Sequence, residues 1–247
     1  MGDHELFSSI EAGDVDRVRQ LLGRDPSLAS ARNEAGLSAV LAARYRGQHE
    51  MVSALLDAGP DLDVFDAAAV GAVDRLTQLL DREPALANAY ASDGFLPLGL
   101  AAFFGQPAAV QLLLQRGADV GATARNPMRV QALHAAVAGR NRDAVGLLLE
   151  AGADPNVHQH GGWTPLMAAA AHGDEEIVDL LLRRGADATA ANDAGQDAVS
   201  LAVQNGHAEL TRARQALTAD TPPFAVRDRV PRSTGSPAST QSSLPPA

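Results

Sequence analysis

The chain repeats itself, and this repetition limits the possible folds more than its length does. The string Gly-Ala-Asp begins at Gly117, Gly152 and Gly185, at intervals of 35 and 33 residues, and each copy follows a leucine triplet by two residues. A repeat of this period is typical of solenoids, in which each unit buries its apolar faces on its two neighbours. The sequence therefore predicts a stack of similar units.

A second comparison extends the repeat to the start of the chain. A shift of 58 residues superimposes Gly13 on Gly71, and it also aligns Pro26 with Pro84. This shift equals one full unit plus one shorter unit. The sequence thus predicts a solenoid over residues 1–217 with seven units: short ones at 5–32 and 64–88, and full ones at 33–63, 89–122, 123–157, 158–190 and 191–217.

The unit at 158–190 shows what each repeat forms. Thr164 is a favourable N-cap, and Pro165 suits the first helical position of a short alanine-rich helix that stops at Gly173. The following segment, 174–184, places leucines at helical spacing, with acids in its first turn and arginines in its last, an order that complements the helix dipole. Each full unit is therefore predicted to be a helix pair that ends at a glycine.

These motifs resemble the ankyrin repeat, whose signature is Thr-Pro-Leu-His-x-Ala with a 33-residue period. The strings Gly-Trp-Thr-Pro-Leu-Met-Ala-Ala from Gly162 and Leu-Leu-Leu-Arg-Arg-Gly-Ala-Asp from Leu180 carry the resemblance, which covers about residues 5–217. It implies stacked helix-turn-helix units with short β-hairpin loops at one edge, and a protein-binding role. The fifth unit departs from the signature, because it has Gln131-Ala132 in place of Thr-Pro and two extra residues in its loop.

Composition supports an all-α fold. Apolar residues make up 46% of the 247 residues, aromatics only 4%, and about a fifth of the chain is alanine. Alanine has the highest helix propensity and lets neighbouring helices approach closely, whereas a β-sandwich would need larger β-branched and aromatic side chains.

Two parts of the chain leave alternatives open. The short unit at 64–88 lacks a hairpin, so either the solenoid continues past it or residue 64 starts a second stack. Residues 218–247 are rich in Pro, Ser and Thr and are expected to be a disordered tail. The arginines of this tail could dock it on the acidic body or on an acidic partner, or the tail could remain solvated.

Several chemical functions are disfavoured by residue usage. The chain has no cysteine and no lysine, and its net charge is −10. These facts exclude thiolate metal sites, lysine Schiff bases and a Walker A loop, and they argue against nucleic-acid binding. With no apolar stretch long enough to cross a membrane and no signal-like N-terminus, a cytoplasmic location is expected.

The histidines and the clustered carboxylates do not indicate a catalytic site either. His158 and His160 share a loop without an evident third metal ligand, and His134 is expected to hydrogen-bond within its own repeat. The acids at 174–176 occupy a predicted first helical turn, where the helix dipole accounts for them. We therefore expect a non-catalytic protein with no cofactor, no metal site and no catalytic residues.

The resemblance also implies where a partner would bind. In that family the concave surface presents the pair before each inner-helix glycine and the residue after each hairpin glycine. The pairs before the glycines are Tyr45-Arg46, Ala69-Val70, Phe103-Phe104, Ala171-His172 and Gln204-Asn205. The residues after the hairpin glycines are Leu37, Phe95, Trp163 and Gln196, and Val130 holds the corresponding place in the fifth unit. Five of the nine aromatic residues fall in this set, which favours a partner surface centred on the fourth unit.

Alternatives remain for this surface. Phe103 or Phe104 could instead fill the notch left by the hairpinless unit. The expected function is that of a monomeric adaptor or scaffold, which binds a protein partner whose contact surface is basic or neutral. An inhibitory module would be a subclass of this function. The competing hypothesis is self-association through the same surface, or assembly with another repeat protein.

Overall fold

The computed structural model describes residues 2–207, and within this range the regular secondary structure is almost all helix, joined by turns and short loops. Its helices, in chain order, are α1 Gly2–Ala12, α2 Val15–Arg24, α3 Ala39–Tyr45, α4 His49–Asp57, α5 Val64–Val70, α6 Val73–Arg82, α7 Pro97–Phe103, α8 Pro107–Gln115, α9 Ala132–Ala138, α10 Arg142–Glu150, α11 Pro165–Ala171, α12 Glu175–Arg183 and α13 Ala198–Gln204. The all-α expectation is confirmed. The second half of the seventh unit, from residue 208, and the tail at 218–247 lie outside the described residues.

Local sequence explains where the helices begin and end. The Thr164 hydroxyl accepts a 3.3 Å hydrogen bond from the Met167 amide at the start of α11, and the Asp174 carboxylate caps α12 in the same way. After α11 the chain turns at Gly173, whose φ of 70° is unfavourable for residues with a side chain. The cap and the stop signals predicted for this unit are therefore in place.

The helices form two parallel rows. Each odd-numbered helix packs against the next odd-numbered one, from α1 to α13, and forms the inner row. The even-numbered helices form the outer row. In this row α2 packs on α4, and separately α6 packs on α8, α8 on α10, and α10 on α12. Hairpin-like turns precede the inner helices of the full units, with isolated antiparallel bridges such as Arg32 to Ser38 and Thr123 to Gln131.

The junction at the hairpinless unit differs between the two rows. The inner row continues from α3 through α5 to α7, whereas α4 and α6 in the outer row barely contact each other. Within residues 2–207 the buried side chains of α1–α4 and those from α5 onward form two large clusters, and Leu41, Ala69 and Leu100 form a small third cluster between them. The inner row is thus continuous while the hydrophobic core is nearly divided.

Candidate partner-binding site

An apolar groove lies between the inner helices and the hairpins, on the face that the family resemblance implies to be concave. We call it the concave groove and define it by Tyr45, Phe95, Phe103, Met128 and Val130; its volume is about 260 Å³. The C-terminal end of α3, the inner faces of α7 and α9, and the hairpins of the fourth and fifth units supply its walls. Four of its five defining residues belong to the set of predicted contact residues.

The exposed apolar surface is concentrated at this groove. Tyr45, Phe103 and Met128 are 37%, 38% and 48% exposed, and they are three of the four exposed large hydrophobic residues in the range 2–207. The fourth, Val203, lies near the end of α13. Since exposed apolar side chains are normally scattered, their grouping in one concavity marks a candidate interaction site.

The two neighbouring phenylalanines have different environments. Phe104 is half-buried and packs against the small cluster at the hairpinless unit, and the Arg44 guanidinium lies 4.7 Å from its ring centroid. Phe103 contacts the Phe104 ring edge-on at 5.0 Å and lines the groove. Phe104 therefore contributes to the junction, while Phe103 presents its ring to the concave groove.

Direct contacts between the second and fourth units hold this wall of the groove in place. The rings of Tyr45 and Phe104 are 5.6 Å apart, and the Tyr45 hydroxyl donates a 2.7 Å hydrogen bond to Asp93 in the hairpin of the fourth unit. Burial, together with this acceptor, raises the pKa of Tyr45, so the phenol stays protonated. The Arg44 guanidinium also donates to the carbonyl oxygens of Ala69 and Phe104, both at 3.1 Å.

The hairpins close the space that the hairpinless unit leaves. A Cβ at Gly36, in the second hairpin, would lie 3.4 Å from the Cβ of Ser92 in the fourth. The two hairpins are thus neighbours although the hairpinless third unit separates them in sequence. The missing hairpin therefore lets Tyr45 of the second unit contact Phe104 and Asp93 of the fourth.

The fifth unit forms the opposite wall of the groove. Its longer loop carries Met128, which the repeat pattern did not identify as a contact residue. The two-residue insertion in this loop was the one sequence feature that could have pointed to it. Arg129 occupies the position of the hairpin glycine and adopts a φ of 52°, a region that non-glycine residues rarely occupy. Val130, which follows it, is half-buried in the groove.

His134 lies at the base of the groove and is structural. Its side chain is almost completely buried, and Nε2 lies 3.3 Å from the carbonyl oxygen of Trp163 in the next unit. The backbone of Val157, at the end of the same unit as His134, is a second neighbour of the ring. Packing of α9 against the segment that enters α11 explains the Trp163 acceptor. Burial lowers the pKa of His134 to about 4, despite the nearby carbonyls, so the ring is neutral at pH 7.

Four further predicted contact residues lie outside the groove. Leu37 is half-buried beside the small cluster, and Trp163 is half-buried against the large core. Arg46 is exposed and pairs with Glu11 at 3.7 Å, and His172 is exposed at the end of α11. The structure therefore brings Tyr45, Phe95, Phe103 and Val130 together. It leaves Leu37, Arg46, Phe104, Trp163 and His172 outside the groove.

A second concavity lies toward the N-terminal end of the same face. This acidic cleft has a volume of about 690 Å³ and is lined by α1 and the second hairpin, including Asp3, Glu11, Glu34 and Arg32. The Arg32 guanidinium is already engaged by Asp63, at 2.8 Å, and by Asp66. With the Arg32 charge neutralised by these two aspartates, the net charge of the side chains that line the cleft is negative.

The part of the chain that the structure describes contains neither a metal-type cluster of side chains nor a helix of membrane-spanning length. Within residues 2–207 no three His, Asp or Glu side chains are grouped so that they could hold a metal ion. No helix in that range is long and apolar enough to cross a membrane.

Comparison with known proteins gives one consistent result. The family model described as ankyrin repeats (3 copies) matches residues 6–124, 64–159 and 133–213. The chain is also similar to the E3 ubiquitin-protein ligase KEG of Arabidopsis thaliana, with 30% identity over 176 residues. This alignment covers 67% of the chain but only 9% of that protein.

Proposed function

This chain belongs to the ankyrin repeat family, whose members generally mediate protein–protein interaction, and from that premise we propose that it binds a protein partner through the concave groove. The grouping of Tyr45, Phe103 and Met128 in one concavity is the observation that carries the proposal. Ankyrin repeats are typically non-catalytic, and we propose the same for this chain.

The dimensions and charge of the groove indicate what it would accept. Small-molecule pockets span roughly 300–1,000 Å³, so a volume of about 260 Å³ suits one or two apolar side chains of a partner better than a metabolite. Anchors of this kind usually supply most of the affinity of an interface. Because the chain carries a net charge of −10, a basic or neutral contact surface is favoured on the partner.

A double substitution in the groove tests this proposal. Phe103→Ser with Met128→Ser removes two exposed anchors without opening the core, and Val203→Ser is the matched control, since it removes an exposed apolar residue elsewhere. Tagged full-length chains would capture proteins from the native host, and the affinity of a protein that depends on the groove would then be measured directly. We expect the double variant to weaken binding at least ~30-fold, the loss typical of a hot spot, with an unchanged thermal unfolding midpoint.

Two outcomes would contradict the proposal. The first is that wild type, double variant and control capture the same proteins with equal affinity. The second concerns self-association. If the mass of the wild-type chain rises with concentration in analytical ultracentrifugation, and the double variant abolishes that rise, the groove joins copies of this chain instead.

A further inference from the structure

The tail contains a short segment whose sequence matches the concave face. Residues 222–232 read Pro-Pro-Phe-Ala-Val-Arg-Asp-Arg-Val-Pro-Arg, so an apolar stretch with Phe224 and Val226 is followed by Arg227, Arg229 and Arg232. Phe224 is the one aromatic residue of the nine that lies outside residues 2–207. We propose that this segment occupies the concave groove of its own chain when no partner is bound. The inference rests on the proposed function, because it treats the groove as a binding surface.

Charge along the concave face matches the order of residues in the segment. The concave groove is apolar. Beyond it toward the N-terminus lie Asp93 and Glu34 on adjacent hairpins and Asp3 in the acidic cleft, where Glu11 already pairs with Arg46. A chain that returns from the C-terminal end and places Phe224 in the groove would therefore direct its arginines toward these carboxylates. Complementary potentials of this kind fix the direction of binding.

The length of the tail permits this path. Packed helices are roughly 8–10 Å apart, so the groove at α9 lies two units, or ~20 Å, from α13. The sixteen residues at 208–223, between the last described residue and Phe224, span up to ~50 Å when extended, which exceeds this distance. Beyond Phe224, the three residues to Arg227 reach ~10 Å and the eight residues to Arg232 reach ~28 Å. These spans suffice for Arg227 to approach the hairpin carboxylates and for Arg232 to approach α1.

Because the segment is tethered to the stack, even a weak contact is enough for it to occupy the groove. A short linker gives the segment an effective concentration in the millimolar range, so an intrinsic Kd near 1 mM would half-fill the groove. A partner must then displace the segment, and its apparent affinity is reduced by the fraction of chains whose groove is occupied. The tail would thus act as an internal competitor for the partner.

The absence of native cysteines allows a direct test in the full-length chain. One cysteine pair, Ala138→Cys with Ala225→Cys, joins the exposed end of α9 at the groove to the tail. The matched control pair, Gln111→Cys with Ala225→Cys, uses an exposed residue of α8 in the outer row. Under mild oxidation at low protein concentration, we expect the groove pair to form an intramolecular disulfide at least ~10-fold faster than the control pair.

Further variants test the chemistry of the contact. Adding Phe224→Ala, or replacing Arg227, Arg229 and Arg232 by Glu, is expected to reduce the rate for the groove pair to that of the control pair. High salt is expected to slow it, because screening weakens exposed ion pairs. Equal rates for the two pairs, or disulfides formed mainly between two molecules, would overturn the proposal.

This outcome is separable from the test of function. If the groove pair fails to cross-link while Phe103→Ser with Met128→Ser still abolishes partner binding, the tail proposal fails and the proposed function stands. If the tail cross-links but the groove substitutions leave partner binding unchanged, the proposed function fails and the tail contact stands. If both hold, Phe224→Ala should increase the apparent affinity for the partner.

Discussion

At the scale of single residues, Asp66 is the one acidic residue within 2–207 whose side chain is buried. It is 2% exposed at the start of α5, where it accepts a hydrogen bond from the Ser38 hydroxyl and lies 3.5 Å from the Arg32 guanidinium. Burial, and secondly the charge of Asp63, raise the pKa of Asp66 to about 6, although Ser38 and Arg32 oppose the shift. A carboxyl group at the junction of the second and third units therefore titrates near neutral pH.

This pKa predicts how stability depends on pH. Because the folded state binds the Asp66 proton more tightly than the unfolded state, the contribution of this group is most favourable below pH 4 and is lost as pH rises through about 6. Lowering the pH from 7 to 5 should stabilise the wild type by about 1 kcal/mol relative to Asp66→Asn, as measured by urea unfolding at each pH. Glu34→Gln, at an exposed carboxyl, is the control; identical pH profiles for wild type and Asp66→Asn would refute the assignment.

At the scale of helices and hairpins, the sequence predicts much of the structure because the signals are local. Thr164, Pro165 and Gly173 determine where α11 begins and ends, and the spacing of leucines identifies the buried face of each outer helix. Local signals could not show that Phe104 packs at the junction while Phe103 lines the groove, nor that Met128 joins it. These features depend on contacts between units, such as the approach of Gly36 to Ser92, which no repeat pattern encodes.

The packing of α9 against α7 provides a prediction at this scale. The Asn141 side-chain amide donates to the carbonyl oxygens of Ala102 and Phe103, at 2.9 and 2.7 Å. A Cβ at Gly139 would overlap the Phe103 carbonyl oxygen, so Gly139→Ala must push the two helices apart at the groove. We expect this substitution to destabilise the protein by about 1–3 kcal/mol, measured by chemical denaturation.

The same chemical change elsewhere in the fifth unit serves as its control. Gly146 lies within α10, and a Cβ there would meet no atom within 4 Å. Gly146→Ala should therefore stabilise the protein by about 0.5–1 kcal/mol, because alanine has the higher helix propensity. Equal effects of the two substitutions would show that helix propensity, and not contact between α7 and α9, dominates at Gly139.

At the scale of the whole molecule, the divided core predicts that the two parts of the stack unfold separately. Repeat proteins are stabilised by each unit and by its contacts with its neighbours, so a weak junction reduces the coupling between them. Here the two large clusters meet chiefly through Leu41, Ala69 and Leu100, and α4 and α6 barely contact each other. Local destabilisation on one side should therefore remain on that side.

Two fully buried leucines test this separation. Leu55→Ala opens the core of α1–α4, Leu113→Ala opens the core from α5 onward, and each should cost about 2–5 kcal/mol locally. In hydrogen-exchange mass spectrometry, Leu55→Ala should accelerate exchange in α1–α4 and leave α7–α12 nearly unchanged, while Leu113→Ala should do the reverse. If either variant accelerates exchange equally along the described chain, the continuous inner row couples the two cores. In that case the contacts of Tyr45 would be lost when either part unfolds, since Tyr45 belongs to α3 but contacts Phe104 and Asp93 of the fourth unit.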